Sequence, residues 1–198
     1  MRIVCLGDSL TYGYGVAPSA SWISLLNKNE KTRTTRKATY INKGINGDTT
    51  GGMLARFNRH VVEEKPHMVM IMGGTNDIIL GLSMETLKSN IKSMVQQAHD
   101  HKIIPILGIP FKIDPAIVRK DWVDCADFRD VAEKTKLLRK WIIDFSQASH
   151  IEYMDFYHEF ASRAHGEYGS YFIDGLHPNE KGQKIIAEIV AEKISKRI

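Results

Sequence analysis

The chain has 198 residues, 43% of them hydrophobic and 25% charged, which is enough apolar content for the full core of one domain. A formal charge of +4 and a pI of about 9.0 make it only mildly basic, with no concentrated positive field of the kind that gathers nucleic acid. It has no repeats, no low-complexity tract, and no apolar run near the ~18 residues of a membrane span, so it reads as a single domain, 1–198, without stable membrane insertion.

The first apolar run, Ile3–Leu6, reads as a strand, and Cys5 within it as a small core residue. Cys125 is the other cysteine, and two lone cysteines without a CxxC give neither a disulfide framework nor a zinc site. Because the apolar pattern begins at Ile3, no signal peptide precedes this strand, and the expected location is the cytoplasm; a leader trimmed from the chain leaves no trace in it. The strand stops abruptly at Gly7-Asp8-Ser9, with Gly13 and Gly15 following. Ser21–Asn27 reads as a short helix, and the basic stretch Lys31–Lys37 as a solvated loop in preference to a site for acidic polymer or lipid headgroups.

Tyr40–Asn42 is the second expected strand, followed by Asn42-Lys43-Gly44-Ile45-Asn46-Gly47-Asp48-Thr49 and a helix over Thr50–Lys65. Met68–Met72 is the third strand and leads into Gly73-Gly74-Thr75-Asn76-Asp77. A helix over Ser83–His101, a strand over Ile103–Ile109 and a helix over Ala126–Ala148 come next. Between the last two, Pro110–Asp127 is the least regular region, open to two readings: a surface connection, or a lid or rim over a site. Ile151–Asp155 is the fifth strand. Asp174-Gly175-Leu176-His177-Pro178 precedes a final helix over Asn179–Ile198, capped by Asn179, with Ile185, Ile186, Ile189, Val190 and Ile194 forming one apolar stripe.

Strands alternating with helices imply an α/β fold with a parallel sheet covered on both faces, and three of the strands are nearly continuous apolar runs, as that arrangement requires. In such sheets ligands bind beyond the carboxyl ends of the strands. The polar segments after the first three strands therefore share one edge, and a loop-borne Asp and His complete a nucleophilic site there. Serine needs an adjacent base to act as a nucleophile, and a histidine, with an ordinary pKa of ~6.5, serves as one near neutral pH. Asp174, three residues before His177, is placed to orient its ring. An ester attack also needs donors for the developing oxyanion. The backbone NH groups of Ser9 and Gly44 and the side-chain amide of Asn76 are the candidates. Each residue also has a plainer reading: Ser9 as a helix cap, Asn76 and Asp77 as turn residues, His177 as a surface histidine. Four such segments at successive element junctions favour the joint reading.

Gly7-Asp8-Ser9-Leu10-Thr11 resembles the first sequence block of the GDSL, or SGNH, hydrolases. Gly44 within Asn-Lys-Gly-Ile-Asn-Gly-Asp-Thr is similar to the second, Gly74-Thr75-Asn76-Asp77 to the third and Asp174-Gly175-Leu176-His177-Pro178 to the fifth, in the family's order from residue 7 to 178. The resemblance implies a flavodoxin-like three-layer α/β/α sandwich with a parallel sheet of about five strands, and ester hydrolysis without cofactor or metal. It implies Ser9 as nucleophile, His177 as base, Asp174 as its partner, and an oxyanion hole from Ser9, Gly44 and Asn76. No motif covers the stretch between the third and fifth blocks, and it carries no substrate specificity over.

Rival readings use the same residues differently. A phosphate- or nucleotide-binding module fits Gly7, Gly13 and Gly15 after a strand, but the spacing matches neither GxGxxG nor GxxxxGK[ST] and leaves Asp174 and His177 without a task. A metal hydrolase using Asp8, Asp77, Asp174 and His177 lacks HExxH or any paired-histidine spacing beyond His99-Asp100-His101 at a helix end. A non-enzymatic interaction domain leaves the four segments unused. No GxSxG pentapeptide is present, which argues against the α/β-hydrolase elbow. The expected partner is a small-molecule ester: a lysophospholipid or short-chain acyl ester, an acyl thioester, or an O-acetylated sugar. Tyr12, Tyr14, Trp22, Phe111 and Trp122 are either acyl-pocket or core aromatics.

Overall fold

A computed structural model describes residues 1–32 and 38–196. The strands are β1 (Arg2–Gly7), β2 (Thr39–Gly44), β3 (Met68–Met72), β4 (Ile104–Ile109) and β5 (Glu152–Asp155). They form one fully parallel sheet in the order β2-β1-β3-β4-β5, the order of doubly wound flavodoxin-like folds. The helices, in chain order, are α1 (Ser9–Tyr12), α2 (Trp22–Thr32), α3 (Thr50–Ala55), α4 (Phe57–His60), α5 (Thr75–Ile79), α6 (Met84–Asp100), α7 (Lys120–Val123), α8 (Phe128–Ala148), α9 (Phe156–Arg163) and α10 (Glu180–Ser195).

The side-chain alternation of β1 shows how the layers are built. Val4 and Leu6 join a core with residues of α3–α6 and α8, including Met53, Phe57, Leu87, Met94 and Leu138. Ile3 and Cys5 join a second core with residues of α2, α9 and α10, including Trp22, Leu26, Phe160, Ile186 and Val190. Both faces of the strand are thus dry, so its sequence is apolar without interruption. Burial in the second core pushes the Cys5 thiol strongly upward in pKa, so it is an inert packing residue.

The expected elements appear with three differences. The helix expected over Thr50–Lys65 is broken: α3 ends at Arg56, α4 follows, and a 3₁₀ turn covers Val62–Glu64. Gly51 and Gly52 weaken helix formation in its first turns. Short helices α1, α5 and α9 follow strands β1, β3 and β5 with at most two residues between. The helix over residues 22–32 outruns its expected end at Asn27. Most of the basic Lys31–Lys37 stretch, and residues 197 and 198 at the end of the last expected helix, lie outside the described residues.

Pro110–Asp127 is a wall, with Phe111, Ile113 and Val118 buried. Phe111 meets Phe156, Phe160 and Phe172 in an aromatic cluster that also takes in Tyr168 and Tyr171. This cluster supports the loop before α10 from below, and Phe160 lies at its centre, fully buried. Phe160→Ala is expected to cost ~3–5 kcal/mol of folding stability. Leu137→Ala, at a side chain 60% exposed on α8, is expected to cost under about 0.5 kcal/mol. Urea unfolding of both variants checks the contrast; equal effects would place the aromatic cluster outside the core that matters.

Candidate active site

The register of the sheet aligns Gly7 with Gly44 and with Met72, and Met72 with Gly108, so β1 to β4 end level. Beyond that edge β1 delivers Ser9. Asp8 caps α1, its Oδ1 accepting from the Leu10 amide at 2.9 Å, and Ser9 is the first residue of that single-turn helix. Gly13, at φ +87°, ends it in the left-handed region that favours glycine. The cap expected of Ser9 is made by Asp8, and of the glycines that a phosphate cradle requires, Gly7 ends β1 and Gly13 stops α1.

The turn before α10 delivers the other two residues. Phe172 pairs with Pro178 across an antiparallel bridge, and Ile173 N donates to His177 O at 2.9 Å, closing the loop on itself. Asp174 Oδ1 accepts from the amides of Leu176 and His177 at 3.0 and 2.9 Å. Its Oδ2 lies 2.7 Å from His177 Nδ1. Gly175, at φ +84°, packs its Cα against the backbone of Ile117 and Val118, where any side chain would clash. Arg119 N donates to Asp174 O at 3.0 Å, tying the same loop to the Pro110–Asp127 wall.

These two deliveries meet. Ser9 Oγ lies 3.0 Å from His177 Nε2. An ionised carboxylate only accepts, so Nδ1 carries the ring proton toward Asp174, and Nε2 is left to accept from the serine hydroxyl. A buried chain of hydrogen bonds holds the segments together from beneath. Trp22 Nε1 donates to Leu10 O at 3.1 Å, Trp22 N to Gln183 Oε1 at 2.9 Å, and Gln183 Nε2 to Pro178 O at 3.1 Å. Trp22 is therefore core, and Gln183 is a supporting residue that no motif flagged. Tyr14 and Trp122 flank the imidazole, with ring centroids 4.6 and 6.1 Å away.

The two carboxylates beside the serine are in opposite states. Burial pushes Asp174 upward, but the hydrogen bonds from the His177 ring and backbone, with the Leu176 amide, outweigh it and hold the carboxyl at about 2. Asp8 is 1% exposed, and burial pushes it up to about 7 against the pull of the Leu10 amide and His177, with Asp48 and Asp77 adding to the rise. Its Oδ2 meets no partner among the described residues. Asp77 is buried, accepting from Thr50 N at 2.9 Å and from the Thr50 hydroxyl. It is a strap between α5 and α3. Among the described residues no three His, Cys, Asp or Glu side chains converge to hold a metal ion.

The expected oxyanion donors need one correction. Gly44 N donates to Asn42 Oδ1 at 2.9 Å, and Gly44 lies against the backbone of Tyr12, where a Cβ would fall 2.2 Å from Tyr12 N. It is a close-approach glycine at the end of β2 and lies outside the pocket. Gly47 lines the pocket together with Ser9, Asn76 and His177. Its φ is +75°, its Cα faces open space, and among the described residues its amide hydrogen meets no acceptor, as is true also of Ser9 N. The free amide at the pocket is thus that of the second glycine of the segment, not the first. Asn76 Nδ2 donates one hydrogen to Asp48 O at 2.8 Å, which fixes the amide and leaves its second hydrogen for another acceptor.

The pocket has a volume of about 150 Å³. Leu10, Tyr14, Ile79, Phe111, Ile113 and Trp122 are among its walls, so Pro110–Asp127 contributes a rim. Of the five candidate pocket aromatics, Tyr14, Phe111 and Trp122 line it, while Tyr12 is half exposed. Among the described residues no helix is long and apolar enough to cross a membrane.

Residues 5–185 match the GDSL-like lipase/acylhydrolase family. The whole chain is 28% identical over 197 residues to an arylesterase of Vibrio mimicus, 90% of which it covers. Esterase TesA of Pseudomonas aeruginosa is 35% identical over 110 residues, 54% of this chain and 53% of that protein. Among solved structures, the lipase/acylhydrolase from Enterococcus faecalis superposes with a TM-score of 0.80 at 26% identity, over 99% of this chain and 96% of that one. An acetylxylan esterase from Geobacillus stearothermophilus shares the fold, with a TM-score of 0.79 at 18% identity over 98% of this chain and 93% of that one. With four sequence blocks in order, a matching sheet and a family match over nearly its full length, the chain belongs to the GDSL-like lipase/acylhydrolase family.

Proposed function

We propose that this carboxylic ester hydrolase cleaves short-chain acyl and aryl esters through an acyl-enzyme on Ser9. The observation that carries the reading is the unbroken path from Asp174 through His177 to Ser9, at 2.7 and 3.0 Å, opening into an apolar pocket beside free amide hydrogens. In the first step His177 Nε2 takes the Ser9 proton as Oγ attacks the ester carbonyl, and the imidazolium is held by the Asp174 carboxylate. The oxyanion that forms is met by Ser9 N–H, Gly47 N–H and the second Asn76 amide hydrogen. His177 then returns the proton to the leaving alcohol, and a water activated by the same nitrogen releases the acid.

Pocket size supports the substrate class. An apolar cavity of about 150 Å³ matches a benzene-sized group. It accommodates an aryl group or an acyl chain of up to roughly six carbons. The relative named an arylesterase, matched along this whole chain, favours the same class. Tyr14, 42% exposed, lines the pocket and adds an apolar face suited to such esters.

A series of p-nitrophenyl esters of increasing acyl length, run beside acetylated sugars and acyl thioesters, tests the substrate class. The expected result is a kcat/KM that peaks at short chains and falls beyond roughly six carbons; a preference for long chains, or for acetylated sugars alone, would overturn it. Ser9→Ala is expected to remove turnover with little change in stability, since only one hydroxyl lining the pocket is lost.

Asn76→Ala separates a donor from a strap. Loss of an oxyanion donor is expected to lower kcat by ~10²–10³ with a similar KM. Loss of the bond to Asp48 alone would cost about 1 kcal/mol of stability and leave the folded enzyme fully active. Kinetics and melting on one preparation decide between them.

Asp8 predicts a stability slope. Its folded pKa of about 7 lies above an unfolded value of ~3.9, so the folded state holds the extra proton between these limits. The stabilisation is complete below pH ~4 and is lost as pH rises through 7. Urea unfolding at several pH values is expected to show wild type losing stability relative to Asp8→Asn across this window. A constant difference would mean that Asp8 stays ionised.

A further inference from the structure

We propose that Arg56 is a positioning residue for ester hydrolysis, holding the three oxyanion donors in register through simultaneous bonds to Asp48, Lys43 and Gly7. The inference rests on the reading of the site given above. Arg56 lies where α3 gives way to α4, and sequence motifs gave it no role. Its Nε donates to Asp48 Oδ2 at 2.7 Å, and Nη2 approaches the same oxygen at 2.7 Å. Nη1 donates to Lys43 O at 2.8 Å and Nη2 to Gly7 O at 2.9 Å. The guanidinium only donates, so the His60 ring accepts at Nδ1, 2.8 Å from Nη1. Burial first, and then the Arg56 charge, lower the pKa of His60, which suits an accepting neutral ring.

Each partner lies in a segment that leads to a donor or follows one. Gly7 ends β1 two residues before Ser9. Asp48 follows Gly47 directly, and its carbonyl accepts from Asn76 at 2.8 Å. Lys43 sits at the end of β2, from which the loop carrying Gly47 departs. Gly7 O already accepts from the Ile45 amide at 3.0 Å, and one planar fork of five N–H groups adds bonds to that carbonyl, to Lys43 O and to a carboxylate together. The Arg56–Asp48 pair is largely buried, with side-chain exposures of 13% and 11%, so its geometry is not averaged by solvent. Displacing an oxyanion donor by about 1 Å is enough to cost ~10²-fold in rate. Lysine keeps the charge but cannot span the three acceptors.

The test compares Arg56→Lys, Arg56→Ala and Ser9→Ala using a short-chain p-nitrophenyl ester. Arg56→Lys is expected to fold, keep KM within about twofold and lose ~10- to 10²-fold in kcat. Arg56→Ala is expected to lose at least as much and to recover part of kcat when guanidinium ion is added at millimolar concentration, with no such effect on wild type. A residue that only braces α3 would lower the melting temperature and leave kcat of the folded enzyme unchanged. Arg56→Lys with kcat within twofold of wild type would overturn the proposal, and that variant decides the matter if Arg56→Ala fails to fold. Turnover surviving in Ser9→Ala would overturn the site reading itself, whereas an inactive Ser9→Ala beside fully active Arg56 variants would remove Arg56 alone.

Discussion

A hydrogen bond of 3.0 Å joins Ser9 to His177, residues 168 positions apart, and the structure is organised to keep that distance. Neither partner can be set by its own neighbours. Ser9 depends on β1, buried on both faces, and on the one-turn helix that Asp8 starts and Gly13 stops. His177 depends on a loop closed by the Phe172–Pro178 bridge and seated on the aromatic cluster around Phe160. The path Leu10–Trp22–Gln183–Pro178 couples the two through buried hydrogen bonds, where an unpaired donor would be costly. Parallel strands ending level do the rest, because they bring the loops after β1, β2 and β3 to one edge.

Around that bond the electrostatics divide the labour. Two aspartates lie beside the serine, and their surroundings push them apart. Asp174, bonded to the His177 ring and two amides, stays ionised with a pKa of about 2 and favours the imidazolium. Asp8, with one oxygen capping α1 and the other meeting no partner among the described residues, is raised to about 7 and is largely uncharged only in acid. Pairs of carboxylates with separated pKa values are a general device for giving two like groups different tasks.

Much of this was legible in the sequence. The five strands and the long helices α6, α8 and α10 follow from apolar periodicity, because packing on a sheet demands it. Ser9 and Asn76 stand out as polar residues just past the ends of buried strands, and Asp174 and His177 as a polar pair just before the last helix. What failed was the choice between Gly44 and Gly47, three residues apart in one loop. Both are glycines for physical reasons. Gly44 lets β2 approach α1 closely, while Gly47 takes a positive φ and leaves its amide free. Sequence spacing cannot tell close approach from a free N–H; only the path of the chain does. Arg56 and Gln183 were invisible for a related reason. Most of their partners are backbone groups, which carry no residue identity. The short helices α1, α5 and α9 escaped because a single turn or two has no periodicity to read.

The central claim is that Ser9 attacks while His177 and the Ser9, Gly47 and Asn76 donors receive the proton and the charge. A p-nitrophenyl alkylphosphonate tests it most directly, since it forms a stable tetrahedral adduct on an attacking serine and leaves an anionic oxygen in the oxyanion position. Peptide mass analysis of the inactivated protein, followed by a crystal structure of the adduct, reads both halves. The account predicts one label per chain, on Ser9, lost with activity in equal proportion, and a phosphonyl oxygen within ~2.7–3.1 Å of Ser9 N, Gly47 N and Asn76 Nδ2. A label on any other residue, or an adduct on Ser9 whose oxygen points away from Gly47 and Asn76, would contradict it.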